Sequence, residues 1–449
     1  MAGYGEAAST NPVMRLLADA PMSGRQILAI AISVALNALD GFDVLAITFA
    51  APGITRDWGI GPAQLGVALS SGLAGMALGS LVLAPLGDRF GRRPLVLGCL
   101  VLMAAGMLLT ATATGLASLC LWRIVTGLGI GGMVAAINAV ASEFANERRR
   151  DLSVALMTIG YPVGGLLGGF AVAELVVTHG WQSVFVAGGL ATAAFLPLIW
   201  FGLPESLEYL ARKGTPAARE RIDVILQRMG HVALGGDVVL APAPVRGGSL
   251  AELLGPRFRR MTLLLVAAYF LHIMTFYFFS GWLPKLMSDL GYPTPDAIRT
   301  SALMSLGGVI GGSALGWAAP RFGLIRLVVL AMIGTSATFA VFGLVSGLIA
   351  MQIVAFLTGC CIFGGIVGLY ALLARSFPAE LRVTGTGLAI GIGRGGAVVG
   401  PVLGGVLIQA GMSIPLAIAI VGAGALIAAG ILMVLARAPR IEAHGLADQ

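Results

Sequence analysis

The chain has 449 residues, of which 57% are hydrophobic and only 11% charged, and its mean hydropathy is +0.93. Soluble domains carry about 25% charged residues, so a soluble enzyme, a nucleic-acid reader and a disordered chain are excluded. The formal net charge is +7 and the pI near 9.6, and the placement of the 28 Lys and Arg decides what that charge is for.

Long apolar runs predict twelve spans, at roughly 25–52, 64–86, 94–113, 117–141, 152–176, 182–202, 260–287, 299–318, 324–346, 348–376, 384–409 and 413–437. In lipid only helices and closed barrels satisfy every backbone polar group, and long runs without alternation are helices. The expected fold is an all-α membrane protein with twelve transmembrane helices. The first run follows Arg15 and Arg25, is too long for a signal peptide's apolar region and leads into no cleavage pattern, so it is expected to be retained. Only Arg56, Lys285 and Arg299 fall in loops on one side, and Arg123 and Arg394 fall inside spans; every other basic residue lies on the opposite side. By the positive-inside rule both termini are cytoplasmic, in a bacterial inner membrane, and the basic pI reflects topology rather than nucleic-acid binding. Trp58, Trp122, Trp181, Trp200, Trp282 and Trp317 lie near span ends, where an interfacial belt is expected. Cys99, Cys120, Cys360 and Cys361 all fall in apolar spans, with neither disulfide nor metal spacing.

The longest polar stretch divides the chain into an N-terminal six-helix bundle (1–202), a cytoplasmic linker with short amphipathic helices (203–258) and a C-terminal six-helix bundle (259–449). The halves repeat. Residues 84–94 align with 316–326, and 160–169 align with 396–405, in the same order and at nearly equal offsets. A duplicated bundle with a central linker is the architecture of an alternating-access transporter.

In the first span Asp40 and Asp43 sit three residues apart, on one helical face, flanked by Asn37 and Thr48. A charged Asp in mid-membrane is expensive and rarely kept without a role. Burial disfavours the charged form, which suits a group that takes a proton on one side and releases it on the other. A purely structural pair is the alternative. The loop after the second span, Gly87–Pro94, holds Asp88, Arg89, Arg92 and Arg93 around a tight turn, where ion pairs can form in one conformation and part in another; topogenic positive charge is the alternative, and it explains the arginines but not Asp88 or Gly91. Arg123 in the fourth span is the natural partner of the two aspartates, since it stays charged at physiological pH, with a structural ion pair that has no transport role as the alternative. Glu143, at the end of that span, is placed with the network around Arg92. In the seventh span Tyr269, Phe276 and Phe279 recur at helical spacing, either to stack on an aromatic ring or simply to pack, and His272 is read as a packing residue. Arg394 lies among Gly391, Gly393, Gly395 and Gly396, with room for it to grip a carboxylate in bidentate fashion; packing is again the alternative.

The Gly87–Pro94 loop resembles the loop 2–3 signature of the major facilitator superfamily, with Ala84 where a glycine is usual and Pro320 in place of the acid in the second copy. Asp40-Gly41-Phe42-Asp43 narrows the resemblance to the aromatic acid:proton symporter family, and the similarity covers nearly the whole chain. It extends through Arg123 with Gly127, Gly129, Gly131 and Gly132, then Pro204-Glu205-Ser206, Trp282-Leu283-Pro284 and Arg382, to Gly400-Pro401. The resemblance implies proton-coupled import of an aromatic carboxylate, benzoate-like or hydroxybenzoate-like, by a monomer driven by the proton gradient without a cofactor. It places Asp40, Asp43 and Arg123 in proton coupling. Arg394, Tyr277, Asn37, Phe276 and Tyr370 become substrate contacts, and Asp88, Arg89, Arg92, Glu143 and Arg382 gating residues. Ile366, Tyr370 and Gly281 stand where the family often has Gln or Asn, which leans the substrate toward a plainer aromatic monocarboxylate. A sugar or polyol porter, suggested by Pro204-Glu205-Ser206, and a drug/proton antiporter are the competing readings. The excess of Arg over Lys and the load of Ala and Gly suggest a GC-rich bacterium.

Overall fold

A computed structural model of the chain describes residues 12–232 and 250–437. Among them, twelve helices are long and apolar enough to cross a membrane. In chain order they are α1 Gly24–Trp58, α2 Pro62–Val82, α3 Arg92–Ala111, α4 Leu116–Glu143, α5 Arg150–His179 and α6 Gln182–Gly202. The second half follows with α7 Arg259–Asp289, α8 Thr294–Phe322, α9 Leu324–Phe342, α10 Leu348–Ser376, α11 Ala379–Gln409 and α12 Ile414–Arg437. The chain is thus an all-α, multi-pass membrane protein. Several helices overrun the apolar runs because polar residues at a helix end still extend the hydrogen-bond ladder.

Local signals set the ends. Ser23 and Gln26 form a reciprocal capping box at the start of α1, and Gly59, at φ 60°, closes its last turn. The linker folds as two short helices, Leu207–Lys213 capped by Ser206 and Pro216–Arg228 capped by Thr215, with a further turn at Leu250–Leu253. The Gly/Pro/Ala-rich remainder of the linker and both chain termini lie outside the described residues.

Two compact units are formed. The first holds α1, α2 from Val67, α3 to α6, the two linker helices and Pro293–Ala302; the second holds Gly61–Gly66, α7, α8 from Leu303 and α9 to α12. Within them the packing pairs repeat: α1 on α5 as α7 on α11, α3 on α4 as α9 on α10, and α3 on α6 as α9 on α12. The repeat extends to single atoms. Gly160, Gly164 and Gly168 of α5 press against the Val34 carbonyl, the Ala38 carbonyl and the Phe42 ring. Gly396, Gly400 and Gly404 of α11 press in the same order against the Phe270 carbonyl, the Met274 carbonyl and the Phe278 ring. Between α2 and α4 the Gly75 and Gly127 contacts, to the Ile124 and Gly72 carbonyls, match those of Gly307 and Gly359 to the Phe356 and Met304 carbonyls. Small residues at every fourth position let backbones touch, which is how helices associate where lipid removes the hydrophobic drive.

The tryptophans correct the interfacial-belt expectation. Trp200 and Trp317 are exposed, but Trp181 and Trp282 are among the largest fully buried side chains. Their indole N–H groups are satisfied internally, donating to Asp57 Oδ2 at 3.0 Å and to the Pro401 carbonyl at 3.0 Å, so neither needs the membrane–water boundary.

Candidate transport site

The centre of the first unit is built on α1. Asp40 and Asp43 are both buried, on the face turned to α3, α4 and α6. Asp43 Oδ2 accepts from Thr192 Oγ1 of α6 at 3.3 Å, while Asp43 Oδ1 takes no hydrogen bond. Gly188, one turn before Thr192, lies against Met107, Phe42 and Asp43 Oδ1, so a side chain there would collide first with Met107 and Phe42 and crowd the carboxylate. Asp40 stands one turn earlier, with Cys99 of α3 in its electrostatic surroundings.

Arg123 of α4 enters the same space and is 1% exposed. Its Nη2 donates to the main-chain carbonyl of Asp43 at 2.8 Å, Nη1 approaches Met107 Sδ at 3.3 Å, and the guanidinium lies 5.8 Å from the centre of the Phe185 ring. Gly72 of α2 supplies the clearance, since a Cβ there would stand 3.2 Å from Nη2. Arg123 therefore reaches Asp43 as the sequence suggested, with its hydrogen bond on the backbone carbonyl and the carboxylate in its electrostatic surroundings. Among the described residues every ion pair lies near a helix end, and none joins Arg123 to a carboxylate. Asn37, read as a substrate contact, donates through Nδ2 to the Met157 carbonyl at 2.6 Å, within the α1–α5 packing.

At the basic end of this unit, the helix Leu86–Phe90 carries Asp88, paired with Arg92 at 3.0 Å and with Arg212 of the linker at 3.8 Å. Arg89 is exposed, and its carbonyl accepts from Tyr209 Oη at 3.4 Å. Gly91, at φ 108°, turns the chain and leaves room for Glu205. That carboxylate accepts from the backbone N–H groups of Arg92 and Arg93 at 2.7 and 3.2 Å, capping α3 from a distant part of the chain. Ser206 donates to Glu143 Oε2 at 2.5 Å, so Glu143 closes onto the linker, with Arg92 and Glu208 in its electrostatic surroundings. The role of Glu205 was not readable in the sequence, because a cap supplied from over a hundred residues away leaves no local spacing. Glu174 pairs with Arg299 at the surface.

In the second unit Tyr269 Oη donates to Tyr370 Oη at 3.1 Å. Arg394 and Tyr277 lie in the electrostatic surroundings of Tyr269. The Tyr269 ring lies against Gly393, which explains a glycine immediately before Arg394. Phe276 packs edge-on to Tyr277 and Phe363, at 4.7 and 5.0 Å between centroids. Phe279 stacks on Phe339 at 4.5 Å; all three aromatic positions are buried. His272 Nε2 meets the Ile362 carbonyl at 2.9 Å, against Gly365, as a packing residue does. Arg382 lies at the start of α11, half-buried, with its Nε making no hydrogen bond.

The Major Facilitator Superfamily family model matches residues 30–389 and 265–449. A gallate transporter of Pseudomonas putida is 32% identical over 414 residues, covering 91% of this chain and 91% of that protein. The 4-hydroxybenzoate transporter PcaK of Acinetobacter baylyi is 33% identical over 419 residues, covering 90% of each. A partially occluded inward-open structure of the xylose transporter XylE from E. coli superposes with a TM-score of 0.72 at 16% identity, covering 93% of this chain and 98% of that one, a likeness of fold alone. With aromatic acid transporters as relatives over nearly its full length, a duplicated twelve-helix body and a buried Asp–Arg cluster, this chain belongs to the Major Facilitator Superfamily and is a transporter, not an enzyme.

Proposed function

We infer that the protein is a symporter importing an aromatic carboxylate together with a proton across the cell membrane, with both termini in the cytoplasm. The observation that carries the reading is the buried group of Asp40, Asp43 and Arg123. Three ionisable side chains buried together are costly to keep. Asp43 keeps an oxygen that accepts no hydrogen bond, where a proton can reside, while Arg123 is held on the adjacent backbone carbonyl. Energetics favour the coupling: importing a monoanion against an inside-negative potential costs about 2.3 kcal/mol per 100 mV, and one co-transported proton removes that cost.

The relatives supply the substrate class, since those two proteins carry hydroxylated benzoates by name. In the second unit, Arg394 offers a guanidinium for a carboxylate and the Tyr269–Tyr370 pair offers hydroxyls for a substituted ring. Hydroxybenzoate-like acids are therefore the favoured cargo. The loop 2–3 network of Asp88, Arg92 and Arg212, with Glu143 held by Ser206, acts as the gate, engaged in one conformation and released in the other.

The test is uptake of labelled benzoate, 4-hydroxybenzoate, gallate and a hexose at two external pH values. Aromatic acid uptake should rise as external pH falls and collapse with an uncoupler. Hexose uptake without aromatic acid uptake would overturn the reading in favour of a sugar porter.

A further inference from the structure

The linker helix Pro216–Arg228 and the basic ends of α1, α3 and α6 enclose a cleft of ≈ 1110 Å³ within the first unit. It is distinct from the buried Asp–Arg cluster and lies where the spanning helices end. Four arginines line it from three elements: Arg25 of α1, Arg93 of α3, and Arg221 and Arg228 of the linker helix. Two acids also line it, but Glu205 is occupied by the backbone of α3, leaving Glu220 against four guanidinium groups. Arg93 donates to the Trp200 carbonyl and stands 5.4 Å from that ring's centre, while its buried Nε donates to no acceptor.

The lining also includes an apolar, exposed pair. Trp200 is 60% exposed and Phe201 87% exposed, at the end of a helix that spans the membrane. At that depth the neighbour of an exposed Trp-Phe pair is lipid, and arginines at the same level attract anionic headgroups. A soluble phosphate would use the arginines but has no need of the apolar pair.

We propose that this cleft is a binding site for an anionic phospholipid. Its headgroup phosphate is held by Arg25, Arg221 and Arg228, and its acyl chains lie over Trp200 and Phe201. The lipid thereby fastens the linker helix to the start of α3, next to the loop that holds Asp88 and Arg92.

The test is native mass spectrometry of the full-length protein in detergent, titrated with phosphatidylglycerol or phosphatidylcholine. Phosphatidylglycerol should be retained in preference. The double variant Arg221→Gln/Arg228→Gln should lose phosphatidylglycerol affinity by roughly fivefold for each arginine removed. Arg56→Gln, at the other end of α1, should bind as the parent does. Phe201→Ser should weaken long-chain phosphatidylglycerol and spare a short-chain form, a second reading that does not depend on the arginine variants being stable. Equal retention of the two lipids, or undiminished binding by the double variant, would overturn the proposal. Competition by glycerol phosphate as effective as by the lipid would do so too, marking a soluble phosphate site instead.

Discussion

Helices α1 and α7 hold equivalent places in the two six-helix repeats and carry opposite chemistry. Counting from the matched glycine contacts, Asp40 and Asp43 of α1 correspond to Phe276 and Phe279 of α7, and Arg123 of α4 to Ala355 of α10. In the other direction Tyr269 and Arg394 correspond to Ser33 and Thr158. The backbone contacts repeat while the polar side chains do not. Close helix contact depends on glycine backbones and survives duplication, whereas a buried charge costs free energy at every copy and is retained only where it acts. One repeat thus holds the two buried acids with Arg123, and the other holds Tyr269, Phe276 and Arg394 at positions where the first has none of them.

The largest test of this division is Arg123→Leu. It removes the donor to the Asp43 carbonyl and should lower uptake about 100-fold or more, the rate equivalent of roughly 3 kcal/mol. Asp43→Asn should abolish the dependence of uptake on external pH while leaving substrate binding measurable by fluorescence quenching; uptake unaffected by that change would remove Asp43 from the coupling role. The repeat itself is tested by Gly164→Ala and Gly400→Ala. Each drives a Cβ into a neighbouring carbonyl, and each should cost about 1–3 kcal/mol, read as a fall in thermal midpoint in detergent. A loss in one half only would show that the two packings are not equivalent. Glu205→Ala strips the cap from α3, at about 1 kcal/mol; in α9, the matching helix, the N-cap residue Gly323 has no side chain to supply one. The smallest effect is expected from Tyr370→Phe, which takes away the acceptor of Tyr269. It should raise the KM for 4-hydroxybenzoate by about threefold to tenfold, one neutral hydrogen bond's worth, and leave benzoate unchanged.

The sequence was most informative where the chemistry is local. Apolar length gave the spans, glycine spacing gave the repeat, and the i, i+3 spacing of Asp40 and Asp43 gave a shared face. It was least informative where partners come from distant helices. Asn37 looked like a polar group available to a ligand, and the fold turns it to the Met157 carbonyl. Trp282 looked like an interface anchor, and the fold buries it on Pro401. Phe276 and Phe279 are indistinguishable in a helical pattern, yet one meets Tyr277 and the other the α9 core.

What the sequence alone determined is the class of molecule, because hydropathy, low charge and the one-sided distribution of arginines follow from the solvent the chain must live in. The tertiary structure decided the partners: Arg123 hydrogen-bonded to the Asp43 backbone carbonyl, Glu205 as the cap of α3, and Tyr269 beside Tyr370. Each is a directional contact between residues far apart in the chain, so its identity depends on how the helices are rotated against one another, which no spacing within a single helix records.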